Sequence, residues 1–202
     1  CTIIPESVGK YNEIIVISSK EDRILVEPML ADLFSHSINT PQLEFEFIMK
    51  FKHPWDLKEV KKYGNIIVTA LDFPYDSTGD LLMKRILDKQ GHDDPLITMV
   101  DLYAKEQLFC TIHTLDAIEY SEVLNLNKQW ILNEFRKSSE KKLIRLIYKH
   151  GKNKELSLEI NNIMGYAIDL QPDFQLIKSD VLHSFVWVGR SYPYRCSQSK
   201  QF

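Results

Sequence analysis

Three carboxylates spaced four residues apart, Asp72, Asp76 and Asp80, follow directly on the apolar run Ile66-Ile67-Val68-Thr69-Ala70-Leu71. Oxygen-rich loops at the end of a buried strand suit two kinds of chemistry. They can hold a hard cation, or they can supply an acid and a base to a substrate lying outside the strand ends. Helix capping competes with both: Asp76 or Ser77 would accept orphan N–H groups and Asp80 would complement the macrodipole, which leaves Asp72 unexplained. The imidazoles that could complete a catalytic set are His92, within Gly91-His92-Asp93-Asp94-Pro95, and His113, at the end of a later apolar run. Asp72, Asp76, His92 and His113 are therefore the candidate catalytic residues, with hydrolysis in a strand-end cleft as the chemistry. No H-E-x-x-H or Cys-x-x-Cys spacing occurs, so neither a metal ligand set nor a cofactor is expected. G-x-S-x-G, P-loop and G-x-G-x-x-G signatures are missing as well, and seven glycines leave little material for a phosphate cradle.

Two further groups of residues have chemical content. Phe185-Val-Trp-Val-Gly-Arg-Ser-Tyr-Pro-Tyr-Arg195 combines aromatic rings with guanidinium groups, the composition of binding hot spots. Trp187, Arg190, Tyr192, Tyr194 and Arg195 are the candidate ligand- or partner-binding residues; the competing reading is the ordinary alternation of a two-sided strand. Cys1 is a candidate for lipid attachment, since a processed bacterial lipoprotein begins at the cysteine that bears the diacylglycerol. Two or more acyl chains give stable anchoring where a single chain is only marginal. Of the other cysteines, Cys110 lies within Leu108-Phe109-Cys110-Thr111-Ile112 and reads as a buried free thiol, with pairing to Cys196 as the alternative.

These residues need elements to position them. Residues 2–10 read as a tether. Glu13 to Ser19, with Ile14-Ile15-Val16-Ile17, is a buried β-strand, and Lys20 to Ser35 has apolar residues at helical spacing, with Pro28 either kinking the helix or lying in its first turn. After Pro41 the strict alternation of Leu43, Phe45, Phe47, Met49 and Phe51 predicts one half-buried strand. A short helix or turn over 53–63, a buried strand over 65–71 and a helix over 76–90 follow. Ile97 to Tyr103 and Gln107 to His113 are close enough in sequence to form an antiparallel hairpin. Residues 116–150 are expected to be helical in two pieces, broken near Asn125 to Asn127. Glu155 to Met164 reads as a helix, and Ala167–Leu170, Phe174–Lys178 and Ser184–Arg190 read as short strands.

The 202 residues, 44% hydrophobic and 26% charged, are enough for a sizeable core. A net charge of -3 spread along the chain marks no nucleic-acid-binding face. No run approaches the roughly 18 apolar residues of a spanning helix. With no Gly/Ser linker or internal repeat, the expectation is one α+β domain over 11–202, with a mixed, mostly antiparallel sheet covered by helices.

Three segments together resemble an uncharacterised family of bacterial lipoproteins, a domain of unknown function. They are Pro5-Glu6-Ser7-Val8-Gly9 leading to Asn12-Glu13-Ile14-Ile15-Val16; Pro41-Gln42 before the alternating strand, with Gly64-Asn65-Ile66-Ile67-Val68; and Phe185-Val186-Trp187-Val188-Gly189-Arg190. The resemblance spans nearly the whole chain and places Cys1 where that family's lipid-bearing cysteine is expected. It implies a periplasm-facing place in the cell envelope and transfers no catalytic residue. Its members are longer than this chain, so a further C-terminal portion is an open expectation. Thr2 is not the aspartate that in enteric bacteria favours inner-membrane retention, which points to the outer membrane. The leading expectation is a non-enzymatic, lipid-anchored envelope protein that touches the membrane through Cys1 and binds a protein or small ligand. An envelope hydrolase is the alternative.

Overall fold

In the computed structural model, residues 4–39, 43–90 and 94–190 are described. The chain divides into two compact units, Cys1–Leu143 and Ile144–Phe202, a division that the expectation of a single domain over 11–202 did not contain. The class is α+β, as expected.

In the first unit, β1 (Glu13–Ile17) and β5 (Asn65–Leu71) are buried at every position. Such runs suit the centre of a sheet covered on both faces. The five-stranded sheet has the order β4-β1-β5-β7-β6, in which β4 is Ile48–Lys52, β6 Leu96–Val100 and β7 Leu108–Thr114. On one face, Ile14, Val16, Ile67, Leu71, Cys110 and Ile112 pack with residues of α1 (Lys20–Phe34) and α4 (Ala117–Ile147). On the other, Ile15, Ile17, Ile66, Val68 and Phe109 pack with Val60 of α2 (Leu57–Val60) and with Met83 and Ile86 of α3 (Ser77–Gln90). Each such aliphatic or aromatic side chain contributes about 1.5–3 kcal/mol on burial, so these two layers carry the unit. Phe34, Phe47 and Phe135 meet edge to face, with centroids 5.2–6.3 Å apart.

Several expectations are corrected. The β6–β7 hairpin is antiparallel as expected, but the β1–β4, β1–β5 and β5–β7 pairings are all parallel, so the main sheet is not mostly antiparallel. Antiparallel pairing is otherwise found in two separate hairpins, β2 (Ser37–Asn39) with β3 (Leu43–Phe45), and β8 (Phe174–Asp180) with β9 (Phe185–Arg190). The single strand expected over 43–51 is two, β3 and β4. The chain turns at Glu46, whose N–H donates to His36 O at 2.9 Å and whose carboxylate takes a two-pronged contact from Arg136 at 2.5 and 2.8 Å. Phe47 then drops into the aromatic cluster.

Pro28 lies inside α1, and the carbonyl it leaves without an N–H partner belongs to exposed Ile24, where water reaches it. The helix expected in two pieces is one element of 31 residues, α4. Asparagine lowers helix propensity without breaking a helix, and Asn127 Nδ2 folds back to donate to Val123 O at 2.8 Å.

The second unit contains α5 (Lys154–Met164) and the β8–β9 hairpin. Asn153 caps α5 by accepting from the Leu156 N–H at 3.0 Å, and Gly165 closes it in the left-handed region at φ 77°. Ala167–Leu170 is a connection rather than the expected strand: Asp169 is engaged by Lys152 through its carboxylate and by the Tyr148 hydroxyl through its carbonyl. Among the described residues, no helix is long and apolar enough to cross a membrane.

Candidate functional site

The parallel pairing creates the feature that the sequence did not display. From β1 the chain crosses to β4 on one side, then returns past β1 to β5 on the other. The loops leaving the carboxyl ends of β1 and β5 therefore diverge, and a crevice opens between them, as at the switch points of open parallel sheets. Lys20, Glu21, His53, Trp55, Tyr75, Asp76, Ser77 and Thr78 line a cavity of about 440 Å³ there.

Each wall is set by local chemistry. Beyond β1, Ser19 caps α1 by accepting from the Asp22 N–H at 3.0 Å. Beyond β4, His53 and Asp56 cap a short 3-10 turn (Pro54–Asp56) reciprocally, which holds the His53 and Trp55 rings 6.4 Å apart and nearly parallel. Beyond β5, Phe73, the cis Pro74 and Tyr75 lead to Asp76 at the entry to α3. Trp55 and Tyr75 are 68% and 71% exposed, so large aromatic surfaces stand in water at one opening.

Asp76 is the capping residue that the sequence offered as the alternative to catalysis. Its Oδ1 accepts from the Thr78 N–H at 2.9 Å and the Thr78 hydroxyl at 2.6 Å, and its Oδ2 accepts from the Gly79 N–H at 3.0 Å. Burial pushes its pKa up, but the Thr78 and Ser19 hydroxyls and the Thr78 and Gly79 N–H groups together hold it below the usual carboxylate value. Asp80 forms a 2.9 Å ion pair with Lys84 one turn on. Asp72 and His113, from the ends of β5 and β7, are brought together with Oδ1 and Nε2 3.1 Å apart. Among the described residues no hydroxyl or thiol hydrogen-bonds to His113. Cys110 is a free buried thiol, as expected, and burial pushes its pKa up to about 12, which makes it inert as a nucleophile.

Asp22 is the residue that sequence reasoning missed. Its side chain is fully buried; Oδ2 accepts from the Leu71 N–H at 3.3 Å, and Oδ1 has no hydrogen-bond partner. Burial pushes its pKa up to about 6, opposed by the Leu71 N–H and the Ser19 hydroxyl and reinforced by the neighbouring Asp76 and Glu21. The available signal was Ser19-x-x-Asp22, a capping-box spacing in which the acid is expected to turn back to the Ser19 N–H.

Of the remaining candidates, Trp187 is 54% exposed on β9. Arg190 lies over the Phe174 ring at 5.5 Å and donates to Gln171 Oε1 at 3.0 Å. Cys1, His92, Tyr192, Tyr194, Arg195 and Cys196 lie outside the described residues. Among the described residues no cluster of three or more His, Cys, Asp or Glu side chains could hold a metal ion. A second depression, about 300 Å³ beside Glu46 and Arg136, has those charges already paired with each other, which leaves them little to offer a ligand. Comparison with protein-family models, curated proteins and solved structures finds no match for the chain.

Proposed function

We propose that the protein is a non-enzymatic binding domain of the cell envelope, held at a membrane by lipid on Cys1, that takes a small hydroxyl-rich ring ligand of the saccharide class in the crevice between β1 and β5. The observation that carries the reading is the placement of Trp55 and Tyr75, largely exposed and on separate loops, around one polar crevice. Aromatic faces stack on the apolar face of a sugar ring, while Lys20, Glu21 and Ser77 supply donors and acceptors to its hydroxyls. The volume suits one or two rings; ligand sites typically enclose about 300–1,000 Å³. The envelope location and the anchor rest on the family resemblance of the segments around Pro5, Pro41, Gly64 and Phe185.

Ligand-observed NMR against a panel of mono- and oligosaccharides tests the binding. Saturation should transfer to at least one sugar, and Trp55→Ala or Tyr75→Ala should abolish it while Trp187→Ala leaves it unchanged. No transfer to any sugar, or transfer that survives both crevice variants, refutes the assignment. For the anchor, Cys1→Ala in the precursor should release the protein from the membrane fraction. The hydrolase reading is favoured by one observation, the Asp72–His113 contact. Ester or amide hydrolysis by the purified protein that disappears in His113→Ala would establish it instead.

A further inference from the structure

We infer that Asp22 and Asp76 share one proton and form an acid-closed latch across the crevice, tying the start of α1 to the loop that enters α3. The effect on binding rests on the crevice being the ligand site; the shared proton does not.

The geometry comes first. Asp22 is the third residue of α1 and Asp76 immediately precedes α3, so the two carboxylates belong to opposite walls. They converge over Gly79: a Cβ built there would lie 2.5 Å from Asp76 Oδ2 and 3.1 Å from Asp22 Oδ2. Asp22 Oδ2 is occupied by the Leu71 N–H, whereas Oδ1 is buried and receives no donor. An ionised carboxylate with an unpaired buried oxygen is strongly disfavoured, and a proton on it removes the penalty. The titratable groups acting on Asp22 are Asp76 from the α3 entry, Glu21 on α1 itself and Tyr120 from α4. All three are acids, so none of them offers a compensating cation.

The surroundings also decide which acid keeps the proton. Asp76 accepts three hydrogen bonds from Thr78 and Gly79, which favour its ionised form, while Asp22 is fully buried and has the Leu71 N–H and the Ser19 hydroxyl to set against that burial. Two carboxyl groups that approach the same point beside Gly79 also repel when both are ionised, so the charge on Asp76 raises the proton affinity of Asp22 and the two titrate as a pair. With the proton on Asp22, only Asp76 carries charge beside Gly79 and nothing drives the two walls apart. When that proton leaves to solvent, two anions face each other and the walls repel. For an acid whose folded pKa, about 6, lies above its ordinary value of 3.8, the stability contribution is full at low pH and is lost as pH rises through that window. The latch is therefore closed in mild acid and loosened at neutral pH.

Two measurements on the ligand-free protein test this. In 13C-carboxyl NMR, the Asp22 carbon should titrate well above the ordinary aspartate range, and Asp76→Asn should lower its midpoint. In thermal melts, the wild type should gain stability between about pH 7 and pH 5, while isosteric Asp22→Asn should melt with little pH dependence across that window. An Asp22 carbon that titrates in the ordinary range, or an Asp22→Asn variant that keeps the wild-type slope, overturns the latch. The NMR titration decides by itself if the variant does not fold. Neither measurement contains a sugar, so failure of the saccharide assignment leaves both results standing, and failure of the latch leaves the NMR binding screen intact.

Discussion

Gly79→Ala should destabilise the protein, although the usual expectation for this change inside a helix is the opposite. Replacing glycine by alanine within a helix ordinarily contributes about 0.5–1 kcal/mol of stability, because alanine loses less backbone freedom on folding. At Gly79 the new methyl would lie 2.5 Å from Asp76 Oδ2, inside any normal contact, and 3.1 Å from Asp22 Oδ2. The Asp76 carboxylate cannot swing aside freely, because Oδ2 is bound to the N–H of Gly79 itself at 3.0 Å and Oδ1 is bound to Thr78. Displacing it sacrifices the cap, about 0.5–2 kcal/mol, and exposes the cost of a nearly buried charge with weakened hydrogen bonds, about 1–3 kcal/mol. The losses exceed the gain, and the net change should be a destabilisation of roughly 1–3 kcal/mol, read from urea unfolding as a lower midpoint at unchanged m. The double-mutant cycle isolates the cause. In an Asp76→Ala background the obstructing carboxylate is gone, so Gly79→Ala should become neutral or stabilising, reduced only by the remaining contact with Asp22. A destabilisation of equal size in both backgrounds would refute the account, since the cost would then come from something other than Asp76.

Other perturbations test the frame around the crevice. Phe135→Ala removes a fully buried ring that meets Phe34 and Phe47 edge to face, and should cost about 3–5 kcal/mol by urea unfolding. Glu46→Gln breaks the two-pronged contact with Arg136 and should cost about 1 kcal/mol or less, because the guanidinium is 42% exposed and partly screened. The Arg136 hydrogen bonds hold the Glu46 carboxyl below its ordinary value of 4.5, so that contribution is present above 4.5 and is lost as pH falls through the lowered folded value. Urea midpoints of wild type and Glu46→Gln should therefore differ near neutral pH and converge in acid; a difference that grows on acidification would contradict the assignment.

The legibility of the fold followed the range over which each signal acts. Ile14-Ile15-Val16-Ile17 and Ile66-Ile67-Val68 show burial within a few residues, and Gly165 marks a helix end by its own backbone requirement. The parallel pairing of Ile15 with Ile66 joins positions far apart in the chain and leaves no mark in either segment. Reading the sheet as mostly antiparallel extended a rule that is sound for neighbours, as at Met99 and Phe109, to strands that are not neighbours. The break after Phe45 was hidden for a similar reason: the alternation from Leu43 to Phe51 fits one strand, and the contacts made at Glu46 are with His36 and with Arg136, the latter far along the chain. Among the site candidates, Asp72 and His113 were visible as residue types, while their meeting at 3.1 Å depends on the parallel register of β5 with β7, which sets Ala70 opposite His113.

Asp22 shows why the site was harder to read than the fold. Its position in the first turn of a helix has a sufficient local explanation, because an acid there complements the macrodipole for about 0.3–1 kcal/mol whether or not anything lies across from it. The same explanation holds separately for Asp76 and Asp80 at the start of α3. Only the switch in strand order between β1 and β5 sets these two helix starts side by side, and two locally favourable acids then become one crowded pair. The macrodipole contribution is small beside the cost of a second buried charge, so it can keep Asp76 ionised without also keeping Asp22 so. The topology therefore turns two ordinary capping signals into one coupled pair of acids beside Gly79.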